Sequence, residues 1–170
     1  MDNKIFKILL VDDEPDILEI LSYPLKNENF QVYTASNGLE AIKLAKDIQP
    51  ELIVLDLMMP EMDGIEACEI IRKDPKTSNT LITFLSARGE DYSKIAGFNA
   101  GADDYITKPI KPKVLVSKVK SLLRRISVKK SDQIETKNLI IDRSGYKVIA
   151  NNKDVFLPRK EFELLFLLAS

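Results

Sequence analysis

The stretch "LIVLDLMMPEMDG", residues 52–64, reads as a buried strand that ends on an acid and a turn. Leu52 to Leu55 have the composition of a strand buried on both faces, and they run straight into a carboxylate, Asp56. Pro60 and Gly64 then stop the strand and leave room for a helix. A carboxylate at the end of a buried strand is costly unless a partner in the same pocket compensates it.

The same strand-then-helix rhythm extends to both sides. Apolar runs at 7–11, 51–55 and 81–85, an alternating run at 30–34 and a short one at 103–107 read as strands. Helical spacing follows each of them. Ile17, Leu18, Leu21 and Leu25 form the first apolar face, with Pro24 set to kink or loosen its last turn. Asn37 opens a second helix, with Leu39, Ala41, Ile42 and Ala45 facing inward. A third runs over 65–73 with Ile65, Cys68 and Ile71 on one side, and a fourth over 91–100. The fifth covers 112–125, with Val114, Leu115, Val119, Leu122 and Leu123 apolar. Five such units in series predict an α/β domain, a doubly wound five-stranded parallel sheet in the flavodoxin-like order 2-1-3-4-5. In that order strands 1 and 3 are neighbours at the topological switch point, where ligands bind beyond the carboxyl ends of the strands.

The strand ends carry the chemistry. Strand 1 closes on Asp12-Asp13-Glu14, strand 3 on Asp56, strand 4 on Ser86, and strand 5 is followed by Lys108-Pro109. Each has a plainer use alone: an Asp-Asp-Glu suits a helix N-cap and first turn, and Asp56 suits an Asx turn. Together they put a carboxylate nucleophile, an oxygen-rich metal site, a hydroxyl and a cation at one sheet edge. Crowded carboxylates are relieved by a hard cation such as magnesium (Mg2+), which takes one or two carboxylates plus a phosphate. That is the equipment of phosphoryl transfer, with an aspartate able to carry the group as an acyl phosphate.

Composition closes off other chemistries. The chain is 45% hydrophobic and 30% charged, which is ordinary globular material, and no run is long enough to span a membrane. It has no histidine, which removes histidine triads and histidine metal sites, and its single cysteine, Cys68, fits a reducing cytoplasm and a small buried hydrophobe. Charge divides mildly: residues 127–170 hold eight Lys/Arg against six Asp/Glu, and residues 1–126 hold seventeen against twenty.

The motifs "LLVDDEPD", "LIVLDLMMPEMDG", "TFLSA" and "GADDYITKPI", in order across residues 5–126, resemble the receiver domain of a two-component response regulator. The resemblance implies that Asp56 accepts a phosphoryl group from a sensor histidine kinase, and that the chain is not an enzyme beyond slow self-catalysed turnover. It implies that Asp13, Asp56 and the Met58 carbonyl bind Mg2+, that Asp12 holds a metal-bound water, and that Ser86 and Lys108 contact the phosphoryl oxygens. It also implies a cis Lys108–Pro109 bond, and a switch in which Ser86 moves toward the phosphate while Tyr105 turns inward. Arg88, bordering the pocket, is a candidate modulator of hydrolysis.

The segment 101–125 resembles the OmpR/PhoB subgroup, which dimerises through helix 4, strand 5 and helix 5. Asp103 and Asp104 are expected to face Lys118, Lys120 and Arg125 across a two-fold axis. Lys118 stands where an arginine is usual and Asn99 where a glutamate is usual, so dimerisation is expected to be weaker than in the family.

Beyond residue 126 the pattern changes. Residues 127–133 read as a polar linker, and "NLIID", "YKVIA" and "DVFL" as short strands separated by turns at Ser144-Gly145 and Asn151-Asn152. "LPRKEFELLFLL" then begins a helix with a proline near its start. Residues 134–170 resemble the N-terminal part of a winged-helix DNA-binding domain of the same subgroup, truncated before its recognition helix. Promoter DNA is thus the expected partner of an intact protein and not of this chain. Phe162, Leu165, Phe166 and Leu168 are left to fold onto the sheet, pair with another chain or stay mobile. Two other readings compete with the receiver. A Mg-dependent aspartyl-phosphate phosphatase normally needs a second carboxylate two residues after the nucleophile, where this chain has Met58. A flavodoxin-like cofactor binder needs a phosphate-cradling loop after strand 1, where this chain has "DDEPD".

Overall fold

A computed structural model describes residues 4–87, 95–97, 99–131, 133–143 and 145–169. The chain divides into two compact units, Met1–Lys120 and Ser121–Ser170. The first contains β1 (Lys7–Val11), α1 (Pro15–Asn27), β2 (Gln31–Ala35), α2 (Gly38–Ile48), β3 (Leu52–Asp56), α3 (Gly64–Lys73), β4 (Leu81–Ser86) and β5 (Asp104–Thr107). Helical residues 95–97 and 99, here α4, lie between β4 and β5. Helix α5 (Pro112–Ser131) follows and crosses the division between the units.

All strand pairs of the first unit are parallel, in the order β2-β1-β3-β4-β5, as the strand-helix rhythm predicts. β3 is buried along its whole length, the mark of a central strand covered by helices on both faces. Alternation along the strands sends Leu9, Val11, Ile53, Leu55, Ile82 and Phe84 into one core with Ala41 and Ala45 of α2 and Ala67, Cys68 and Ile71 of α3. The same alternation puts Ile8, Leu10, Leu52 and Val54 on the opposite face, where they are equally buried.

Two apolar assignments differ from the sequence reading. Leu39 is exposed, because the inward face of α2 is set by Gly38, Ala41 and Ala45, one residue out of phase with it. Val114 is also exposed, because Leu115, Val119, Leu122 and Leu123 define the buried stripe of α5. Asn37 caps α2 as expected, its side chain accepting the Glu40 N–H at 2.8 Å. Pro24 stays inside α1. The helix then ends in tighter i→i−3 bonds from Glu28 to Leu25 and from Asn29 to Lys26.

The polar stretch expected to link the domains is not irregular. α5 continues to Ser131, since nothing from 126 to 131 breaks a helix, and β6 (Gln133–Thr136) starts two residues later. β6 is a strand that the sequence reading did not assign. It pairs with β7 (Leu139–Asp142), followed by β8 (Lys147–Ala150) and β9 (Lys153–Val155), in a four-stranded antiparallel sheet. Asn151 and Asn152, with φ of 51° and 61°, make the two-residue left-handed turn that a tight β8–β9 hairpin requires. Ser144, expected in the other turn, lies outside the described residues. The last strand ends at Val155, short of the expected Leu157, and Phe156 beyond it is 94% exposed.

Helix α6 (Arg159–Ala169) folds onto this sheet. Phe162 and Phe166 are buried with Ile141 and Val148, and Leu165 packs at the edge of that cluster. Leu168, grouped with them on sequence grounds, is exposed on the outer side with Leu164 and Leu167.

Candidate functional site: an acidic pocket at the switch point

Sheet register builds the site. Val11 pairs with Leu55 on adjacent parallel strands, so the next residues, Asp12 and Asp56, emerge side by side. Ser86 pairs with Thr107, which brings Lys108 to the same edge, and the Lys108 N–H donates to the Ser86 carbonyl at 2.7 Å. The Lys108–Pro109 peptide is cis.

Asp12 and Asp56 are almost fully buried, while Asp13 is exposed at the mouth. One carboxylate oxygen from each of the three lies within 4.8 Å of the others. Lys108 Nζ bridges the two buried acids, 3.2 Å from Asp12 Oδ2 and 3.3 Å from Asp56 Oδ1. Met58 N–H donates to Asp56 Oδ1 at 3.4 Å, which places the Met58 backbone at the pocket while its side chain is exposed. The Asp12-Asp13-Glu14 run supplies the N-cap residue of α1 but no side-chain capping bond. That residue is Glu14, and Asp12 Oδ1 accepts the Glu14 N–H at 2.9 Å in an Asx turn.

The loop after β3 turns back tightly enough to need a glycine. Gly64 N–H donates to the Leu57 carbonyl at 2.9 Å, and a Cβ at this position would collide with the Asp56 carbonyl oxygen and sit 3.0 Å from Leu57 Cα. The glycine of the opening motif thus lets α3 start directly behind β3.

Electrostatics matches the crowding. Burial, and secondarily the Asp12 charge, raise the Asp56 carboxyl from 3.8 to about 6, against the opposing pull of Lys108. Burial alone would lower the Lys108 ammonium, but the Asp56 and Asp12 carboxylates outweigh it and raise its pKa. Ser86 Oγ is buried at the same edge and has no hydrogen-bond partner among the described residues. A buried hydroxyl without a partner is unfavourable unless an acceptor arrives, and a phosphoryl oxygen is such an acceptor. Two buried acids, a third at the mouth, a bridging ammonium and an orphan hydroxyl fit a divalent cation together with a phosphoryl group.

The raised Asp56 pKa has a consequence for stability. Its folded value, about 6, exceeds the unfolded value of 3.8, so folding favours the protonated form. The stability linked to that proton is complete below pH 4 and is lost as pH rises through 6. Without metal, Asp56→Asn is therefore expected to be more stable than the parent by about 2–3 kcal/mol at pH 7.5. The gain should vanish near pH 4. Urea unfolding in EDTA at the two pH values checks it.

Other expected residues have different surroundings. Asp103 accepts from Arg72 Nη2 at 2.8 Å and from the Ile82 N–H at 2.9 Å, within its own chain. Arg72 also donates to the carbonyls of Gly101, at 2.8 Å, of Ser78, at 3.0 Å, and of Thr80. This guanidinium hub joins the end of α3 to the turns before β4 and β5, and the sequence reading missed it. Its one sequence signal was an arginine on the last turn of an amphipathic helix, which ordinarily marks a solvated charge. Asp104 pairs with Lys118 at 3.0 Å and Lys120 with Glu28 at 2.6 Å. Arg125 is exposed, Tyr105 is half-buried against Phe84, and Arg88 lies outside the described residues.

A parallel 2-1-3-4-5 sheet with an acidic pocket and a lysine at its switch point defines a class, and comparison with known sequences agrees with it. The model of the response regulator receiver domain matches residues 8–120, and the chain belongs to that family. It is a response regulator of a two-component system, of the transcriptional type. It is 44% identical over 171 residues to the transcriptional regulatory protein SrrA of Staphylococcus aureus, covering 96% of this chain and 70% of that protein. Among solved structures, the response regulator DrrB of Thermotoga maritima, an OmpR/PhoB homolog, superposes with a TM-score of 0.64 at 36% identity, over 98% of this chain and 73% of that one. A putative response regulator from Chloroflexus aurantiacus gives a TM-score of 0.68 at 37% identity, over 72% of this chain and all of that one. Response regulators take phosphoryl groups from histidine kinases, and those that regulate transcription bind DNA. The phosphatase reading is not favoured, and among the described residues no helix is long and apolar enough to cross a membrane.

Proposed function

We propose that Asp56 is the phosphoacceptor of this regulator. The observation that carries the reading is the approach of Asp12, Asp13 and Asp56 within 4.8 Å, with Lys108 bridging the two buried acids. An Asp56 oxygen attacks the phosphorus of a kinase phosphohistidine, the P–N bond breaks, and the imidazole leaves with the bonding pair and takes up a proton. Lys108 neutralises charge on the phosphoryl oxygens and Ser86 Oγ donates to one of them. Asp13, Asp56 and the Met58 carbonyl would hold Mg2+, with Asp12 on a metal-bound water. When bound, the ion adds positive charge against the transferring group. The alternative acid/base position two residues on is the exposed thioether Met58, which cannot move a proton.

Residues 1–126 form the receiver in this reading, 127–133 the connection, and 134–170 the start of a winged-helix domain whose target is promoter DNA in the cytoplasm. The match of 98% of this chain to an OmpR/PhoB homolog supports that assignment. Acetyl phosphate with Mg2+ tests the acceptor: about one phosphate per chain, lost in Asp56→Asn, supports it, and continuous phosphate release supports a phosphatase instead.

Phosphorylation favours a homodimer through α4, β5 and α5. Asp103, Asp104 and Lys120 are all paired within the chain, so a dimer must exchange these pairs and gains little net charge energy. Sedimentation should show monomer without beryllium fluoride and a weak, salt-sensitive dimer with it. A tight dimer in both states contradicts the expectation.

A further inference from the structure

We infer that Gly97 is a positioning residue: it provides the socket that lets the Tyr105 side chain sit inward against α4. Gly97 is buried, and its backbone does not need glycine, since the one described glycine with positive φ is Gly101. What needs glycine is the space above its Cα. A Cβ there would overlap the Tyr105 hydroxyl, and would sit 2.8 Å from both Tyr105 Cζ and Phe84 Cε2. The Tyr105 ring in turn packs on Phe84, with centroids 5.4 Å apart and planes tilted by 44°. The three residues thus form one contact set between β4, β5 and α4.

A helical glycine without a positive φ is normally inferior to alanine, because the unfolded chain has more freedom to lose. Its presence here is explained by the ring. Phe84 pairs in register with Tyr105, and lies two residues before Ser86 on the same side of β4. Phe84, against which both the Tyr105 ring and the Gly97 position lie, therefore shares a strand face with the orphan Ser86 hydroxyl. This inference rests on the reading of Ser86 and Tyr105 as a coupled switch. It adds that the inward state of Tyr105 is set by the α4 backbone as well as by the phosphate.

Two measurements on the full chain test it. The first is nitration by tetranitromethane mapped by mass spectrometry, with exposed Tyr23 as internal standard. Tyr105 should be slow in the parent and should approach the Tyr23 rate in Gly97→Ala. The second is a melting cycle. Gly97→Ala should lower the melting temperature in the parent, and leave it unchanged or raise it in a Tyr105→Leu background. If Gly97→Ala does not fold alone but folds with Tyr105→Leu, the socket is supported. Unchanged Tyr105 reactivity, equal melting shifts in the two backgrounds, or failure to fold in both overturns it. Gly97→Ala should still label at Asp56 yet lose its beryllium-fluoride dimer. An unlabelled parent would instead refute the acceptor reading while leaving the nitration and melting results to judge the socket.

Discussion

In Lys108→Ala, phosphoryl uptake from acetyl phosphate should fall by about two to three orders of magnitude, the usual effect of removing one preorganised donor from a site where charge develops. Lys108 Nζ is within 3.3 Å of both buried carboxylates and is the one cation placed on them among the described residues. Its loss also removes the force that holds Asp56 down against burial and the Asp12 charge. The Asp56 pKa should therefore rise above its value of about 6, which carbon NMR of the carboxyl resolves. At neutral pH more of the acceptor is then protonated and unable to attack. Lys108→Arg should restore little, because a planar fork does not reproduce a compact ammonium between two acids. Labelling rates at saturating Mg2+ check both variants, and a rate within threefold of the parent would show that the lysine is dispensable.

The second large effect falls outside the pocket. Arg72→Met should destabilise the receiver by about 3 kcal/mol, on the order of 10 °C in melting temperature. The substitution keeps the apolar stem but strands the Asp103 carboxylate and removes donors from the carbonyls of Ser78, Thr80 and Gly101. Lys118→Ala is the contrasting control: the lysine of that pair with Asp104 is half-buried and 42% exposed, so solvent screens it, and its loss should cost less than about 1 kcal/mol. Thermal unfolding of the two variants separates an interior staple from a surface ion pair.

That contrast shows which features the sequence made legible. Strand order followed from composition because β3 is apolar up to its terminal Asp56 and β1 is apolar after Lys7, and a buried parallel strand tolerates little else. The pocket followed from the strand order, since Asp12, Asp56, Ser86 and Lys108 all close strands at one edge. What sequence could not supply was phase and partner. Leu39 and Val114 lie one residue off the buried stripes, a shift that propensity does not resolve. The subgroup resemblance gave Asp103 a role across a dimer axis and said nothing of a partner within the chain. That partner, Arg72, is thirty-one residues away in sequence and meets Asp103 through tertiary packing alone. β6 was hidden in a polar stretch, because only Ile134 of its four residues is apolar and packs against the core cluster, while its pairing with β7 is made by the backbone. Gly97 reads in sequence as a helix-weakening residue, and its use appears once Tyr105 and Phe84 are placed beside it.

In the function proposed here, the acids ending β1 and β3 share one magnesium ion and Asp56 alone takes the phosphoryl group. Peptide mapping of the intact chain after acetyl phosphate treatment, with and without Mg2+, tests it most directly. One added phosphate, confined to the peptide containing Asp56, dependent on Mg2+ and sharply reduced in Asp13→Asn, is the predicted result. Phosphate on any other residue, or equal labelling in EDTA, would contradict it.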